Sequence, residues 1–118
     1  MHPFKLAFYR TLGWIRRRFP STYRQRAPFA VVRESDVPDE LESDCIYLIG
    51  EGEHLWSAAM KCPGGCGTVL EMNLVPDMRP LWHVALDAKG TVTIEPSIWR
   101  KRDCGCHFRI TKGRVVWY

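Results

Sequence analysis

From Phe29 onward, the chain consists of short runs rich in apolar residues that end at turn-forming residues, and in some of these runs apolar and polar residues alternate. In the run 81–87, for example, Trp82, Val84 and Leu86 take every second position, as side chains on one face of a strand do. The segment 37–41 predicts a short turn or a single helical turn. The runs that predict strands are 29–33, 45–49, 54–61, 68–74, 81–87, 91–95, 108–111 and 114–118. Short strands between turns predict a mainly β fold, either a small antiparallel sheet or a small barrel.

The first twenty residues have a helical period instead. Their large apolar residues recur at steps of three or four and end at Pro20; they are Phe4, Phe8, Leu12, Ile15 and Phe19. Basic residues fall mostly on other faces, which predicts a basic amphipathic helix. We therefore divide the chain into a basic helix and linker at 1–28 and a β domain at 29–118. The helix either packs on its own domain, the commoner case, or contacts acidic lipid, nucleic acid or an acidic protein.

Charge is distributed unevenly along the chain. Residues 1–33 include basic side chains and no acid, and residues 34–53 include acidic side chains and neither lysine nor arginine. The two segments can close on each other or meet separate partners. Because the net charge is only +4 and the basic excess is confined to the N-terminal segment, nucleic acid is not an expected partner.

Cysteine usage favours metal binding over disulfides. The chain has 5 cysteines, an odd number, and shows neither a secretory signal nor an apolar run of the roughly 18 residues that span a membrane. We therefore expect a reducing, cytoplasmic location, where clustered cysteines more often bind metal than pair with each other. Cys45 lies apart from the others in a predicted strand and is expected to be a buried apolar thiol.

Two Gly-rich cysteine clusters have the spacing of a structural zinc site. They are Cys62-Pro-Gly-Gly-Cys66-Gly67 and Cys104-Gly-Cys106-His107. Glycines let the backbone curl around one ion, and sulfur-rich tetrahedral sites favour zinc. The predicted ligands are Cys62, Cys66, Cys104 and either Cys106 or His107. A site with four protein ligands has no open position, so the zinc is expected to be structural.

From Leu48 to the end, the chain resembles a bacterial family of small predicted metal-binding proteins of unknown function. The segments that carry the resemblance are Ile49-Gly-Glu, Cys62-Pro-Gly-Gly-Cys-Gly67, Arg79-Pro-Leu-Trp82, Gly90-Thr-Val-Thr-Ile-Glu-Pro-Ser-Ile98, Cys104-Gly-Cys-His-Phe108 and Gly113-Arg-Val-Val-Trp117. The resemblance implies an operon that encodes a ubiquitin-like protein with its activating and conjugating enzymes, and a role in antiphage defence. It also implies that this component is a peptidase acting on the ubiquitin-like protein.

The chain departs from the family pattern at both cysteine clusters. The first cluster of the family often has a middle cysteine where this chain has Gly64, and the second often has serine where this chain has Cys106. One cysteine is thus lost and another gained, which keeps four thiolates available. The exchange favours Cys106 as the fourth ligand and leaves His107 free.

A free His107 suggests a catalytic pair with Ser97, which follows the predicted strand 91–95. A serine hydroxyl becomes a good nucleophile when an imidazole accepts its proton and an acid orients the imidazole. Asp103 is the preferred candidate for the orienting acid, with Glu95 and Glu71 as others. In the alternative without catalysis, Ser97 caps a turn and His107 binds zinc. His54 and His83 are expected to be surface or hydrogen-bonded core histidines with no functional role. The tryptophans at 56, 82, 99 and 117 are expected to lie in the core.

These observations lead to two main functional hypotheses. The first is a zinc-stabilised serine peptidase that processes or deconjugates a bacterial ubiquitin-like protein. The alternative is a non-catalytic zinc-ribbon adaptor that binds components of the conjugation pathway. Both give the chain the same partners, the ubiquitin-like protein and its conjugation enzymes, and turnover distinguishes them. Nucleic-acid binding through the basic segment ranks third.

Overall fold

A computed structural model describes residues 25–118 of the chain. The predicted N-terminal helix lies outside these residues. Within them, the regular elements are strands, with no helix, and 37–41 forms a bend and not a helical turn. The strands are β1 (Ala30–Glu34), β2 (Cys45–Glu51), β3 (His54–Lys61), β4 (Val69–Asn73), β5 (His83–Leu86), β6 (Val92–Trp99), β7 (His107–Thr111) and β8 (Arg114–Trp117). The mainly β prediction is therefore confirmed.

The strands form two four-stranded sheets, with the orders β1-β2-β3-β4 and β5-β6-β7-β8. The second sheet is antiparallel throughout, whereas β1 pairs with β2 in parallel in the first. The prediction of one antiparallel sheet or barrel was wrong about the number of sheets and about the direction of the β1–β2 pair. Parallel pairing needs a crossover connection, and residues 35–44 supply it.

One hydrophobic core joins the two sheets. Its largest fully buried members come from both sheets and are Ile46, Leu48, Met60 and Met72 from the first, and Val92, Ile94, Phe108 and Ile110 from the second. A second cluster covers the opposite face of the first sheet, where Leu41 packs against Tyr47 and Ile49. This explains why β2 is an unbroken apolar run, since both of its faces are buried.

The first described residues of the chain are hydrogen-bonded to the β7–β8 hairpin. The Gln25 side chain donates a hydrogen bond to the carbonyl of Gly113 at 2.8 Å and accepts one from the Val115 amide at 2.9 Å. The Phe29 amide donates to the same Gly113 carbonyl at 2.8 Å. Residues on both sides of the predicted boundary at 28/29 thus contact the β domain, while the boundary itself stays a prediction.

An irregularity in β6 shapes the outer face of the second sheet. Ile94 pairs with Ile110 and Ile98 pairs with Phe108, so three residues of β6, 95–97, oppose Arg109 alone. Such a bulge bends a strand and re-aims its side chains. It also accommodates Pro96, which has no amide hydrogen for regular pairing. Strand β6 therefore continues past the predicted end at 95 as far as Trp99.

Candidate active site and cysteine cluster

Ser97 and His107 meet on the outer face of the second sheet. The Ser97 Oγ lies 2.9 Å from the His107 Nε2, within hydrogen-bonding distance. Ser97 lies in the β6 bulge, and His107 is the first residue of the neighbouring strand β7. The strand alternation turns Ile98 and Phe108 into the core, so the residues beside them point outward. Pairing of β6 with β7 thus brings the two side chains together.

Two aromatic rings enclose the His107 imidazole. The Trp99 ring stacks on one side, with ring centroids 4.8 Å apart and planes 8° apart. The Tyr118 ring stacks on the other side at 4.3 Å and 21°. Trp99 was predicted to be a core residue, but it is 55% exposed. The prediction was wrong because Trp99 has the outward position of β6, beside the buried Ile98.

An open cleft of about 500 Å³ lies beside Ser97. Its lining residues come from β5, β6, β7 and the chain end, and they are His83, Glu95, Pro96, Ser97, Arg109 and Tyr118. A peptide entering the cleft would meet a carboxylate, a guanidinium and the Ser97 hydroxyl. Sequence reasoning did not single out Arg109 and Tyr118, and it gave His83 a structural role. The alternation of β7 was the available signal, because Arg109 lies two residues after His107 and so shares its face.

The candidate orienting acids are placed differently from one another. The Asp103 carboxylate forms an ion pair with the Arg100 guanidinium at 2.8 Å and is 64% exposed. Glu71 lies in β4 of the other sheet, paired with Ala59. Glu95 lines the cleft. Within residues 25–118, the hydrogen bond at the His107 ring goes to Ser97, so a role for Asp103 in orienting His107 stays a prediction.

Three of the predicted zinc ligands form a tight cluster. The Sγ atoms of Cys62, Cys104 and Cys106 lie within 4.8 Å of one another, and those of Cys62 and Cys104 are 3.5 Å apart. Zinc–sulfur bonds of about 2.3 Å in a tetrahedral site place sulfur atoms about 3.8 Å apart. The cluster therefore has the spacing that a metal ion requires. His107 lies outside it and is directed to Ser97.

Cys66 lies at the exposed rim of this cluster, where its Sγ accepts a hydrogen bond from Arg100 at 3.4 Å. Burial raises the pKa of the Cys66 thiol, but hydrogen bonds from Thr68, Cys62 and Cys104 outweigh burial and lower this pKa to about 7. Among the described residues Cys66 does not belong to the group of three thiols, so its role as a metal ligand stays a prediction. Cys45 is remote from the cluster and only half-buried, with its thiol 3.5 Å from Asp44.

The chemistry of the cluster also fits a cation. Burial raises the pKa of the Cys62 thiol well above its usual range, and burial beside Cys104 raises the pKa of Cys106 to about 11. Buried thiolates are costly without a positive charge, and a bound metal ion supplies one. Gly64 also leaves space for the Cys106 thiol in this cluster, because a Cβ at position 64 would overlap the Cys106 Sγ. These residues can therefore hold a metal ion.

A serine hydroxyl that is hydrogen-bonded to an imidazole in an open cleft is the arrangement of a serine-type hydrolase. In this chain, a two-sheet β domain with a cysteine cluster carries this arrangement. Comparison with protein families agrees with this class. The chain belongs to the family described as "Bacterial ubiquitination-like system serine protease (BubE)", whose model matches residues 33–118. This confirms the resemblance found in the sequence. No curated protein and no solved structure matches the chain. Within residues 25–118, no helix is long and apolar enough to cross a membrane.

Proposed function

We propose that the chain is a zinc-stabilised serine peptidase that processes or deconjugates a bacterial ubiquitin-like protein. The observation that carries the proposal is the 2.9 Å contact between Ser97 Oγ and His107 Nε2 in an open cleft. Membership of a family named for serine proteases of a ubiquitination-like system supports the reaction type and the pathway. Ser97 is the nucleophile, and His107 is the general base and then the general acid.

The reaction follows from this pair. When His107 carries its proton on Nδ1, the Ser97 hydroxyl donates its hydrogen bond to the free Nε2. The Ser97 Oγ attacks the scissile carbonyl carbon and passes its proton to Nε2, which then protonates the leaving amine. Water, deprotonated in turn by Nε2, hydrolyses the acyl-enzyme and frees Ser97. The open cleft admits an extended peptide tail, as the C-terminal segment of a ubiquitin-like protein would present.

Zinc has a structural role in this proposal, held by Cys62, Cys66, Cys104 and Cys106. When bound, it supplies a fixed link between the loop that follows β3 and the loop that precedes β7. His107 directly follows Cys106, so an anchored second cluster holds the start of β7 against β6. The zinc takes no part in the chemical steps.

Ser97→Ala tests the proposal. With a ubiquitin-like protein that carries a C-terminal extension as substrate, we expect cleavage to fall by on the order of 10⁴-fold or more, because the nucleophile is lost. Bound zinc and thermal stability should match the parent. Ser57→Ala, a serine of β3 in the other sheet, is the control and should cleave normally. An Ser97→Ala variant that cuts as fast as the parent would disprove the assignment.

The same experiment addresses the adaptor alternative. A parent protein that forms a stable complex with the ubiquitin-like protein or a conjugating enzyme, but never cleaves either, would favour an adaptor. In that case Ser97→Ala would leave the complex unchanged.

A further inference from the structure

The His107 imidazole lies between two aromatic rings on the outer face of the second sheet. Trp99 and Tyr118 enclose it at centroid distances of 4.8 and 4.3 Å. Each of these two rings also contacts a cation. The Lys101 Nζ lies 4.2 Å from the Trp99 centroid, and the Arg109 Cζ lies 5.9 Å from the Tyr118 centroid. Rings at these separations attract one another, and cations are attracted to ring faces. The imidazole plane is therefore held from both sides.

Strand register produces this arrangement. Trp99 pairs with His107 across β6 and β7, and the Tyr118 amide donates a hydrogen bond to the His107 carbonyl at 3.0 Å. The three side chains are thus direct neighbours across β6, β7 and the residue that follows β8, and side chains that lie opposite each other in this way interact. The Ser97 hydroxyl then meets Nε2 at the edge of the enclosed ring.

The exposure of both rings argues that they are not simply part of the core. Trp99 is 55% exposed and Tyr118 is 63% exposed, whereas Phe108 on the inner face of the same sheet is fully buried. Burial in the core therefore does not account for the positions of these two rings, and each of them stacks on His107. This contact restricts the imidazole to one plane.

In a serine peptidase, an acid commonly fixes the plane of the histidine ring through a hydrogen bond. Here the carboxylate nearest in sequence, Asp103, is bonded to Arg100. We propose that Trp99 and Tyr118 are positioning residues that hold the His107 ring in line with the Ser97 hydroxyl, in the role that an orienting acid has elsewhere. The inference rests on the proposed function, because it assigns these rings to the Ser97–His107 pair.

Removal of each ring tests the inference. We expect Trp99→Leu and Tyr118→Leu to lower kcat on the order of 10²-fold, since a small misplacement of a catalytic group costs about this much. For Trp99→Leu, KM should stay within about threefold, because Trp99 is not among the residues that line the cleft. Tyr118 lines the cleft, so for Tyr118→Leu the fall in kcat is the readout. Trp99→Phe and Tyr118→Phe keep a ring in place and should retain most of the parent activity.

A second measurement does not depend on the peptide substrate. An alkyl phosphonofluoridate labels the serine when Oγ bonds to phosphorus, fluoride leaves, and the histidine accepts the proton. The labelling rate of Ser97 should fall in the two leucine variants in parallel with kcat. Met78→Ala is the control at an exposed position and should label and cleave like the parent. Asp103→Asn tests the candidate acid itself, and the inference expects a much smaller loss there than in the leucine variants. Bound zinc and the melting temperature should be unchanged in all variants.

Three results would overturn the inference: leucine variants with unchanged kcat and labelling, a rise in KM at constant kcat, or a loss in Asp103→Asn as large as in the leucine variants. The second result would assign the rings to substrate binding, and the third would assign orientation to the acid. Failure of the proposed function is distinguishable, because the parent protein would then neither cleave nor label at Ser97.

Discussion

At the scale of single residues, Gly64 and Cys106 depend on each other. A Cβ on Gly64 would overlap the Cys106 Sγ and lie 3.6 Å from the Cys62 Sγ. The space beside Cys62 can therefore receive a side chain from the first cluster or from the second, but not from both. This steric exclusion agrees with the exchange that the sequence resemblance implies, a cysteine at position 64 together with a serine at position 106.

We predict that Gly64→Ala lowers zinc content and destabilises the protein by about 1–3 kcal/mol, the usual effect of overpacking a filled site. Gly64→Cys should have the same defect, whereas Gly64→Cys combined with Cys106→Ser should recover a stoichiometric zinc site. Metal analysis and urea unfolding measure both quantities. Full zinc binding by the Gly64→Cys single variant would show that the two side chains do not share this space.

At the scale of elements, strand β7 separates the core from the candidate site. Phe108 and Ile110 are fully buried, and Phe108 packs against Trp117 with ring centroids 5.7 Å apart. His107 and Arg109 alternate with them on the outer face. One strand thus contributes both to the hydrophobic core and to the candidate site. Because successive side chains point to opposite faces of the sheet, the two sets of residues do not overlap.

This division predicts a contrast within β7. Phe108→Ala should destabilise the protein by about 3–5 kcal/mol, because it leaves a cavity in the shared core. Arg109→Ala, at the next position, should change the free energy of unfolding by no more than about 0.5 kcal/mol, as expected for an exposed side chain. Urea unfolding of the two variants measures the contrast. Similar destabilisation by both would contradict the inward and outward assignment of these residues.

At the scale of the whole molecule, the cysteine cluster links the two sheets at one end of the core. Cys62 follows β3 of the first sheet, and Cys104 and Cys106 lie between β6 and β7 of the second. A metal ion bound to all three would connect loops that are 42 residues apart in sequence. In a chain this small, such a link adds substantially to a modest core.

Zinc removal by a chelator should therefore lower the melting temperature by more than about 10 °C. A metal at a hundredfold excess over its Kd stabilises by about 2.7 kcal/mol, and each kcal/mol shifts the melting temperature of a small domain by about 4–8 °C. Cys62→Ser and Cys104→Ser should reproduce the shift. Cys45→Ser, which lies outside the cluster, should keep the zinc and the parent melting temperature. An unchanged melting curve after complete metal removal would exclude a stabilising role for zinc.

Local patterns in the sequence sufficed for the strands and for the grouping of the cysteines. The composition of runs such as 54–61 and the turn residues between the runs placed the strands close to their observed bounds. The close spacing of Cys104 and Cys106 likewise indicated that these two thiols could share one metal ion, and the structure brings both of them together with Cys62. These features depend on neighbours a few residues away, which a sequence displays directly.

Pairing between strands was decided only by the tertiary structure. The parallel β1–β2 pair, the β6 bulge that extends the strand past Pro96, and the outward position of Trp99 all depend on register, and a slip of one residue turns every side chain to the opposite face. Ser97 and His107 were paired as a hypothesis from residue type, but their 2.9 Å contact follows from the register of β6 against β7. The sequence by itself thus determined which residues could react or bind metal, and only long-range packing decided which of them meet.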